Sequence, residues 1–455
     1  MTISKSLLDL IGNTPLVKLS NIDTGLCDLY VKMESENPGG SIKDRIGLSI
    51  IEEAEKEGRL KKGGTIIEAT AGNTGIGLAL VASLKGYKMV LVIPDKMSRE
   101  KILHLEGLGV EVILTRSDVP EGHPEYYQDV ARKLANDNPD YFFADQFSNP
   151  ANPLAHKQTT APEIWKQMEG DIDAVVAGVG SGGTITGLGQ YFKSKDPSIQ
   201  VIAADPLGSV VADAVIKGEY KYEGGAWLVE GVGEDFIPNN LDLSLIDDAE
   251  TVSDKEAFYM LKILLQEEGI LGGSSTGTLV AGAVKWCKKQ ETKKRVVTFI
   301  CDTGNKYLSK AFNKSWLHDN NLLESKETSF IKNMINRRAD KGEMITVTTT
   351  DSLLVAYNRM RASDVSQIPV LNNNQLVGLV DEEDLLLSVS RNKETFSETV
   401  ASIMVKDLDK LDIGATEKDL VDILSQGKVA IIYHDSQFLG FITKVDLINY
   451  YRNKL

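Results

Sequence analysis

The chain has 455 residues, 42% hydrophobic and 25% charged, with 39 glycines and a formal net charge of −15. That acidity argues against nucleic acid or an anionic membrane surface as main partner. No apolar run approaches the ~20 residues needed to span a bilayer, Met1-Thr2-Ile3-Ser4-Lys5 lacks the apolar stretch of a signal peptide, and three isolated cysteines, Cys27, Cys287 and Cys301, suit reduced thiols better than a disulfide frame or a metal site. The expected setting is cytoplasmic.

In chain order, Ile11 to Leu19 reads as a turn and a short strand, and Asp28 to Met33 as a buried strand. Asn37-Pro38-Gly39-Gly40-Ser41-Ile42-Lys43-Asp44-Arg45 then turns into an amphipathic helix, roughly Asp44 to Gly58, with Ile46, Ile50, Ile51 and Ala54 on its apolar face. Gly63 to Ala69 is a turn and strand that runs into Thr70-Ala71-Gly72-Asn73-Thr74-Gly75 and a small-residue helix. Strands follow at Lys88 to Pro94 and Val110 to Leu114, with a helix from Ser98 to Gly107 between them. The pattern resumes with a helix at Ala161 to Met168, a strand at Asp173 to Val179, the loop Gly180-Ser181-Gly182-Gly183-Thr184 and another helix. Strands at Gln200 to Asp205 and Arg295 to Ile300 complete this part. Alternation of this kind predicts an α/β fold, two-lobed and doubly wound, over residues 1–317.

A polar stretch, 318–332, reads as a linker. Beyond it, Gln375 to Leu386 matches Gln437 to Ile448, the two glycines lying 440 − 378 = 62 residues apart. Each copy is a strand, a turn residue and a helix start, which predicts an α+β tandem over 333–455 with repeats at about 333–390 and 399–455.

Two stretches point to chemistry. Lys43 stands at the positive end of a helix, where an ammonium is disfavoured and a neutral, carbonyl-reactive amine is favoured; a solvated lysine in a first helical turn is the competing reading. The Gly180–Thr184 loop lies between a buried strand and a helix, where backbone amides cradle an anion. It lacks the lysine of a nucleoside-triphosphate loop and the spacing of a dinucleotide loop, so a single phosphate is the better match, against a plain tight turn. The Thr70–Gly75 segment reads equally as an N-cap or as a carboxylate site, since both use the same donors.

Taken in order, the Ser41–Arg45 lysine motif, the Thr70–Gly75 loop, the Gly180–Thr184 loop and Gly272-Gly273-Ser274 resemble the fold-type-II pyridoxal-phosphate enzymes of the cysteine synthase and cystathionine β-synthase family, collinearly from about Leu8 to Leu317. The C-terminal tandem resembles paired CBS (Bateman) repeats. The resemblance implies that Lys43 links covalently to pyridoxal phosphate and moves the substrate α-proton. It implies that Asn73 meets the ring hydroxyl, that Gly180, Ser181, Gly182, Gly183 and Thr184 hold the phosphate, and that Ser274 faces the ring nitrogen. Thr70, Ala71, Thr74 and Gln146 would bind the substrate carboxylate. Phe147 and Glu234 stand where the animal enzymes carry tyrosine; Glu234 is read either as a group that handles the substrate ammonium or the leaving hydroxide, or as a surface carboxylate.

Within the family, Asp235-Phe236-Ile237-Pro238 and Pro94 to Lys101 resemble the cystathionine β-synthases more than plain cysteine synthases. The implied reaction is β-replacement of L-serine by L-homocysteine, with release of hydrogen sulfide when cysteine is the first substrate. The alternatives are an O-acetylserine-dependent cysteine synthase and, in another class, a non-catalytic nucleotide sensor. The animal enzymes bear a haem-binding extension before the core, whereas here the core begins almost at Met1, so no haem is expected. Thr443 and Asp446 resemble the ribose-binding pair of adenosyl-ligand repeats, which would admit S-adenosylmethionine, and read equally as a helix cap. A homodimer or homotetramer is expected.

Overall fold

The structure, a computed structural model, describes residues 3–452 except 71, 96–98, 120–121, 220–224, 324–329, 336, 340–341, 364, 374, 392 and 436. It divides into two compact units, Met1–Phe312 and Asn313–Leu455.

The strands of the first unit are β1 (Leu16–Lys18), β2 (Asp28–Met33), β3 (Thr65–Glu68), β4 (Lys88–Pro94), β5 (Glu111–Thr115), β6 (Tyr141–Phe143), β7 (Ala174–Ala177), β8 (Gln200–Pro206), β9 (Asp248–Val252) and β10 (Arg295–Ile300). The helices among them are α1 (Lys43–Lys56), α2 (Asn73–Lys85), α3 (Arg99–Gly107), α4 (Tyr127–Asp137), α5 (Ala151–Ala155), α6 (Ala161–Gln167), α7 (Gly183–Lys195), α8 (Val211–Lys217), α9 (Asp254–Glu267) and α10 (Ser274–Lys288). One sheet runs β1-β2-β10-β7-β8-β9 and the other β5-β4-β3-β6. All neighbours are parallel except β1 against β2. Strands as uniformly apolar as β7, buried at all four positions, require cover on both faces.

The chain starts in the larger sheet, crosses to the smaller one, and returns. As a result β2 pairs with β10 in the register Asp28↔Arg295, and the segment leading to Lys43 is held beside the C-terminal end of β10. Helix α1 lies directly on α2 because both carry glycine at the crossing: a Cβ on Gly77 would stand 2.6 Å from the Lys43 carbonyl oxygen. Any larger residue there would push the lysine off its seat.

The helix expected from Ala161 starts earlier, at Ala151, and runs through a π-helical turn, His156–Thr160, into α6. Pro150 and Pro153 hide that start in the sequence, yet a proline in a first turn gives up only an amide with no intrahelical partner. The π turn is itself a common mark of a functional segment.

The second unit begins at Asn313, ahead of the expected boundary. Its elements are α11 (Lys314–Asp319), α12 (Phe330–Met334), β11 (Val347–Thr348), α13 (Leu353–Ser363), β12 (Gln367–Asn372), β13 (Gln375–Asp381), α14 (Glu382–Arg391), β14 (Lys410–Asp412), α15 (Glu417–Ser425), β15 (Ala430–His434), β16 (Gln437–Ile442) and α16 (Lys444–Arg452). The sheets β11-β12-β13 and β14-β15-β16 repeat one design, a parallel pair followed by an antiparallel pair. Register shifts fall at Val370/Leu371 and at Ile432/Tyr433, and 432 − 370 is again 62.

The polar stretch read as a linker is structured at both ends. Helix α11 packs on α16, and Ile331 is fully buried in the core around Leu420, Ile432 and Ile442 of the second repeat. Apolar residues spaced within a polar segment are what made this contact hard to read in advance.

Candidate active site

The sequence motifs converge at the C-terminal ends of the parallel strands, where open α/β sheets bind ligands. The joint is the segment after β10. Ile42 N donates to the Cys301 carbonyl at 2.8 Å, Ser41 forms a bridge with Asp302, and Gly273 N donates to the Asp302 carbonyl at 3.0 Å. The lysine loop and the Gly272–Ser274 motif are thereby fixed on one strand end.

Lys43 opens α1. Among the described residues no hydrogen bond or ion pair engages its Nζ. Burial pushes its ammonium below the usual lysine range, against the pull of Cys301 and Asp302. Lys43 is half-buried, which weighs against the reading of a freely solvated surface lysine. Arg45, two residues on, anchors the turn: its guanidinium holds Glu34 at 2.7 and 2.9 Å and Glu163 at 2.8 Å through each terminal nitrogen. Fully buried Lys32 completes the network on Glu163, Gln167 and the Thr14 carbonyl. Buried charges persist when paired and hydrogen-bonded on this scale.

Asn73 is clamped by two charged groups. Its Nδ2 donates to Asp302 Oδ2 at 2.7 Å, and its Oδ1 accepts from Lys306 Nζ at 2.7 Å. Lys306 also donates to the Gly39 carbonyl at 3.0 Å, and the Tyr307 hydroxyl donates to Asp302 at 2.7 Å. The amide is thus held in a single orientation, and Tyr307 also hydrogen-bonds the Asn73 side chain.

Gly182 takes φ +80° at the N-cap of α7, where no side chain caps the helix. A Cβ on Gly183 would fall 1.9 Å from Asn152 Oδ1. Ser181 Oγ accepts from Asn152 Nδ2 at 2.8 Å, and Thr184 Oγ1 lies 3.2 Å from His156 Nε2. Burial, then the charges of Lys43 and Arg45, hold the His156 imidazole well below its usual range and so neutral at pH 7. Backbone amides at an uncapped start, rimmed by hydroxyls on neutral partners, make a donor set that takes up a phosphate-sized anion.

Helix α2 starts at an N-cap glycine, Gly72, again with no side-chain cap. Thr70 Oγ1 accepts from Gly72 N at 3.1 Å, so its hydroxyl braces the loop without closing the helix end. Thr74 donates to Gln146 Oε1 at 2.6 Å. Asn152 Nδ2 also reaches the Gln146 carbonyl at 2.7 Å, tying this station to the phosphate-type loop. Ala71 lies outside the described residues, as do Lys96, Met97 and Ser98 of the Pro94–Lys101 motif. Ser274, buried at the start of α10, accepts from Glu230 N at 2.9 Å.

Phe147 lines a pocket with Phe236 beside Glu68, and Glu234 lies two residues before Phe236. The Phe147 ring packs on Phe236, with centroids 5.6 Å apart. Burial, then Asp235 and Asp205, push Glu234 up to about 8, which is not the behaviour of a surface carboxylate. Burial pushes Glu68, which accepts from Ala69 N and Gln146 N, up to about 7.

Sequence reading missed Glu34, Glu163, Asn152, His156, Asp302 and Lys306. A charged or amide residue inside an apolar run, as Lys32 is in Leu29-Tyr30-Val31-Lys32-Met33, is the signal that was available.

In the second unit, Thr443 N and Oγ1 both donate to Asp446 Oδ2, at 2.7 and 2.6 Å. The pair proposed for a ribose adopts the geometry of a helix cap. Its counterpart in the first repeat is Asp381 with Asp384, in which the Asp384 amide donates to Asp381 at 2.8 Å. Among the described residues no group of His, Cys, Asp and Glu is arranged to hold a metal, and no helix is long and apolar enough to cross a membrane.

Comparison with known proteins agrees with this geometry. Residues 7–302 match the model of the pyridoxal-phosphate dependent enzymes, and residues 337–391 match that of the CBS domain. A cystathionine β-synthase of Dictyostelium discoideum is 36% identical, covering 98% of this chain and 92% of its own. A cysteine synthase of Buchnera aphidicola is 44% identical over 68% of this chain and 96% of its own. Among solved structures, a hydrogen sulfide-producing enzyme of Fusobacterium nucleatum is 41% identical, with a TM-score of 0.62, covering 67% of this chain and 98% of its own. The uncapped loops, the unpaired lysine and the clamped asparagine therefore belong to a chain of the pyridoxal-phosphate dependent enzymes, in the cystathionine β-synthase family, with a CBS domain in its second unit.

Proposed function

We propose that the protein condenses L-serine with L-homocysteine, giving L-cystathionine and water. The Cβ–O bond of serine breaks, a Cβ–S bond forms, and the thiol proton leaves with the hydroxide. The observation that carries this reading is Lys43, an unpaired amine whose ammonium burial disfavours, at the meeting point of the motifs. When bound, pyridoxal phosphate acts as the electron sink that makes the substrate α-proton acidic.

The chain's own groups take the remaining roles in this reading. Lys43 holds the cofactor and carries the α-proton. The Gly180–Thr184 amides hold the phosphate, and Asn73, oriented by Asp302 and Lys306, meets the ring hydroxyl. Ser274 faces the ring nitrogen; a neutral hydroxyl there does not force ring protonation, which favours prompt loss of the β-group. Thr70, Thr74 and Gln146 bind the first substrate's carboxylate at the start of α2, and Ala71 is assigned there by resemblance alone. Phe147 lines the cleft. Glu234, protonated at neutral pH, gives its proton to the departing hydroxide. The proposed cofactor set is pyridoxal phosphate alone, without haem, in a cytoplasmic homodimer or homotetramer.

A second reading has cysteine as first substrate and hydrogen sulfide as leaving group. It is favoured by the similarity to the Fusobacterium enzyme, and HS⁻, a far weaker base than hydroxide, leaves with less need of a proton from Glu234. O-acetylserine with sulfide is the remaining pair. Purified enzyme assayed with serine plus homocysteine, cysteine plus homocysteine, and O-acetylserine plus sulfide separates the three, and turnover only with sulfide overturns the main reading. For the second unit, an adenosyl ligand such as S-adenosylmethionine is proposed at Thr443 and Asp446, which would release each other to bind a ribose. Calorimetric titration with S-adenosylmethionine and with AMP tests it, and absence of heat from both refutes it.

A further inference from the structure

Beside the carboxylate station lies a pocket of about 200 Å³, between the end of β6, helix α4 and the loop after Glu234. Its volume is below the roughly 300–1,000 Å³ typical of sites for larger ligands and suits one amino acid. Its lining is sorted by chemistry. Arg132 supplies a cation, Asp145 and Glu68 supply carboxyl groups, and the Phe147–Phe236 pair supplies an apolar wall. Arg132 pairs with Asp129 at 3.0 Å while its side chain stays 53% exposed. Such surface pairs exchange readily for a bidentate carboxylate.

Asp145 is held at φ +48°, a backbone conformation that few non-glycine residues adopt and that concentrates at functional sites. Burial raises its carboxyl pKa and Arg132 draws it back down, so the two side chains already interact across the pocket. Gln146, next in sequence, donates its amide to Glu68 at 3.2 Å and accepts the Thr74 hydroxyl, so pocket and carboxylate station share a wall. The arrangement of cation, anion and apolar wall complements a zwitterion with a short apolar side chain. It does not complement a bare sulfide, which needs none of the three.

We propose that this pocket is the subsite for the second substrate, an amino acid bearing a side-chain thiol: its carboxylate on Arg132, its ammonium against Asp145, its methylenes across Phe147 and Phe236. The inference rests on the β-replacement reading above. The test uses full-length enzyme loaded with pyridoxal phosphate, L-serine, and either L-homocysteine or 2-mercaptoethanol, a thiol with neither carboxylate nor ammonium. In Arg132→Gln the ratio of kcat/KM for homocysteine to that for 2-mercaptoethanol is expected to fall about tenfold, with Arg132→Lys between the two. The homocysteine KM is expected to rise by more than the serine KM. An unchanged ratio, or equal rises in both KM values, in an enzyme whose wild type makes the thioether overturns the subsite. A wild type that makes no thioether with either thiol overturns the β-replacement reading itself, and the subsite falls with it.

Discussion

Two kinds of helix start contrast in this protein. Helices α2, α7 and α10, which carry the site motifs, begin at Gly72, Gly182 and Gly273 with no side-chain cap. Helix α9, which carries none of them, is closed by a capping box of Ser253 and Glu256, and α15 in the second unit by one of Thr416 and Asp419. The first four amides of any helix need partners. Where a side chain supplies them the helix is locally complete, and where glycine stands instead the amides remain available to an anion. The interiors differ in the same sense. Among the described residues, the charged side chains buried in the core, such as Lys32, Glu34, Arg45, Glu68 and Asp302, all lie in the first unit. Polar capacity left open by the local chain is concentrated where chemistry is proposed.

The sharpest test is Lys43→Ala, expected to lower turnover by about 10³-fold or more and to abolish the visible absorption of the bound cofactor. Retained colour and turnover would remove the site's central member. Next is Gly183→Ala. Its new Cβ meets Asn152 Oδ1 at 1.9 Å, so the cradle must open. A loss of about 1–3 kcal/mol in thermal stability is expected, together with weaker retention of pyridoxal phosphate on dialysis. An unaltered protein would mean that the loop is an ordinary turn.

The buried carboxyl of Glu68 supplies a pH test. Burial raises its pKa to about 7, so the protonated form is favoured in the folded state. That contribution is complete below the unfolded pKa and is lost as pH rises through about 7. Glu68→Gln, which cannot ionise, is therefore expected to flatten the decline of Tm between about pH 5 and 8, an effect of up to about 3 kcal/mol. Parallel wild-type and variant profiles would place the pH dependence elsewhere. The smallest effect is expected at a closed helix: Thr416→Ala removes the cap of α15 and costs about 1 kcal/mol in the second unit's unfolding, with turnover unchanged. A large loss of turnover would contradict the division drawn here.

Much of this was legible from the chain alone, because the relevant physics is local. The periodicity of α1, the continuous apolar run of β4 and the glycines of the Gly180–Thr184 loop specify element type and anion affinity within a few residues. The 62-residue repeat likewise appears first as a sequence match and then as two equivalent sheets. Local rules leave two readings open where both use the same donors. Thr443 and Asp446 read as ribose ligands or as a cap, and the Thr443 hydroxyl donates to Asp446 at 2.6 Å.

Tertiary structure alone settled the pairings between distant segments. Nothing near Asn73 foretells that Asp302 and Lys306, more than two hundred residues away, clamp its amide, nor that Asn152 joins Gln146 to Ser181. Nor does the Lys43 motif reveal that Arg45 is buried against Glu34 and Glu163. A charged residue's partner is chosen by where the sheets bring other strands to rest, whereas a glycine's freedom or a helix's apolar stripe is a property of the residues themselves.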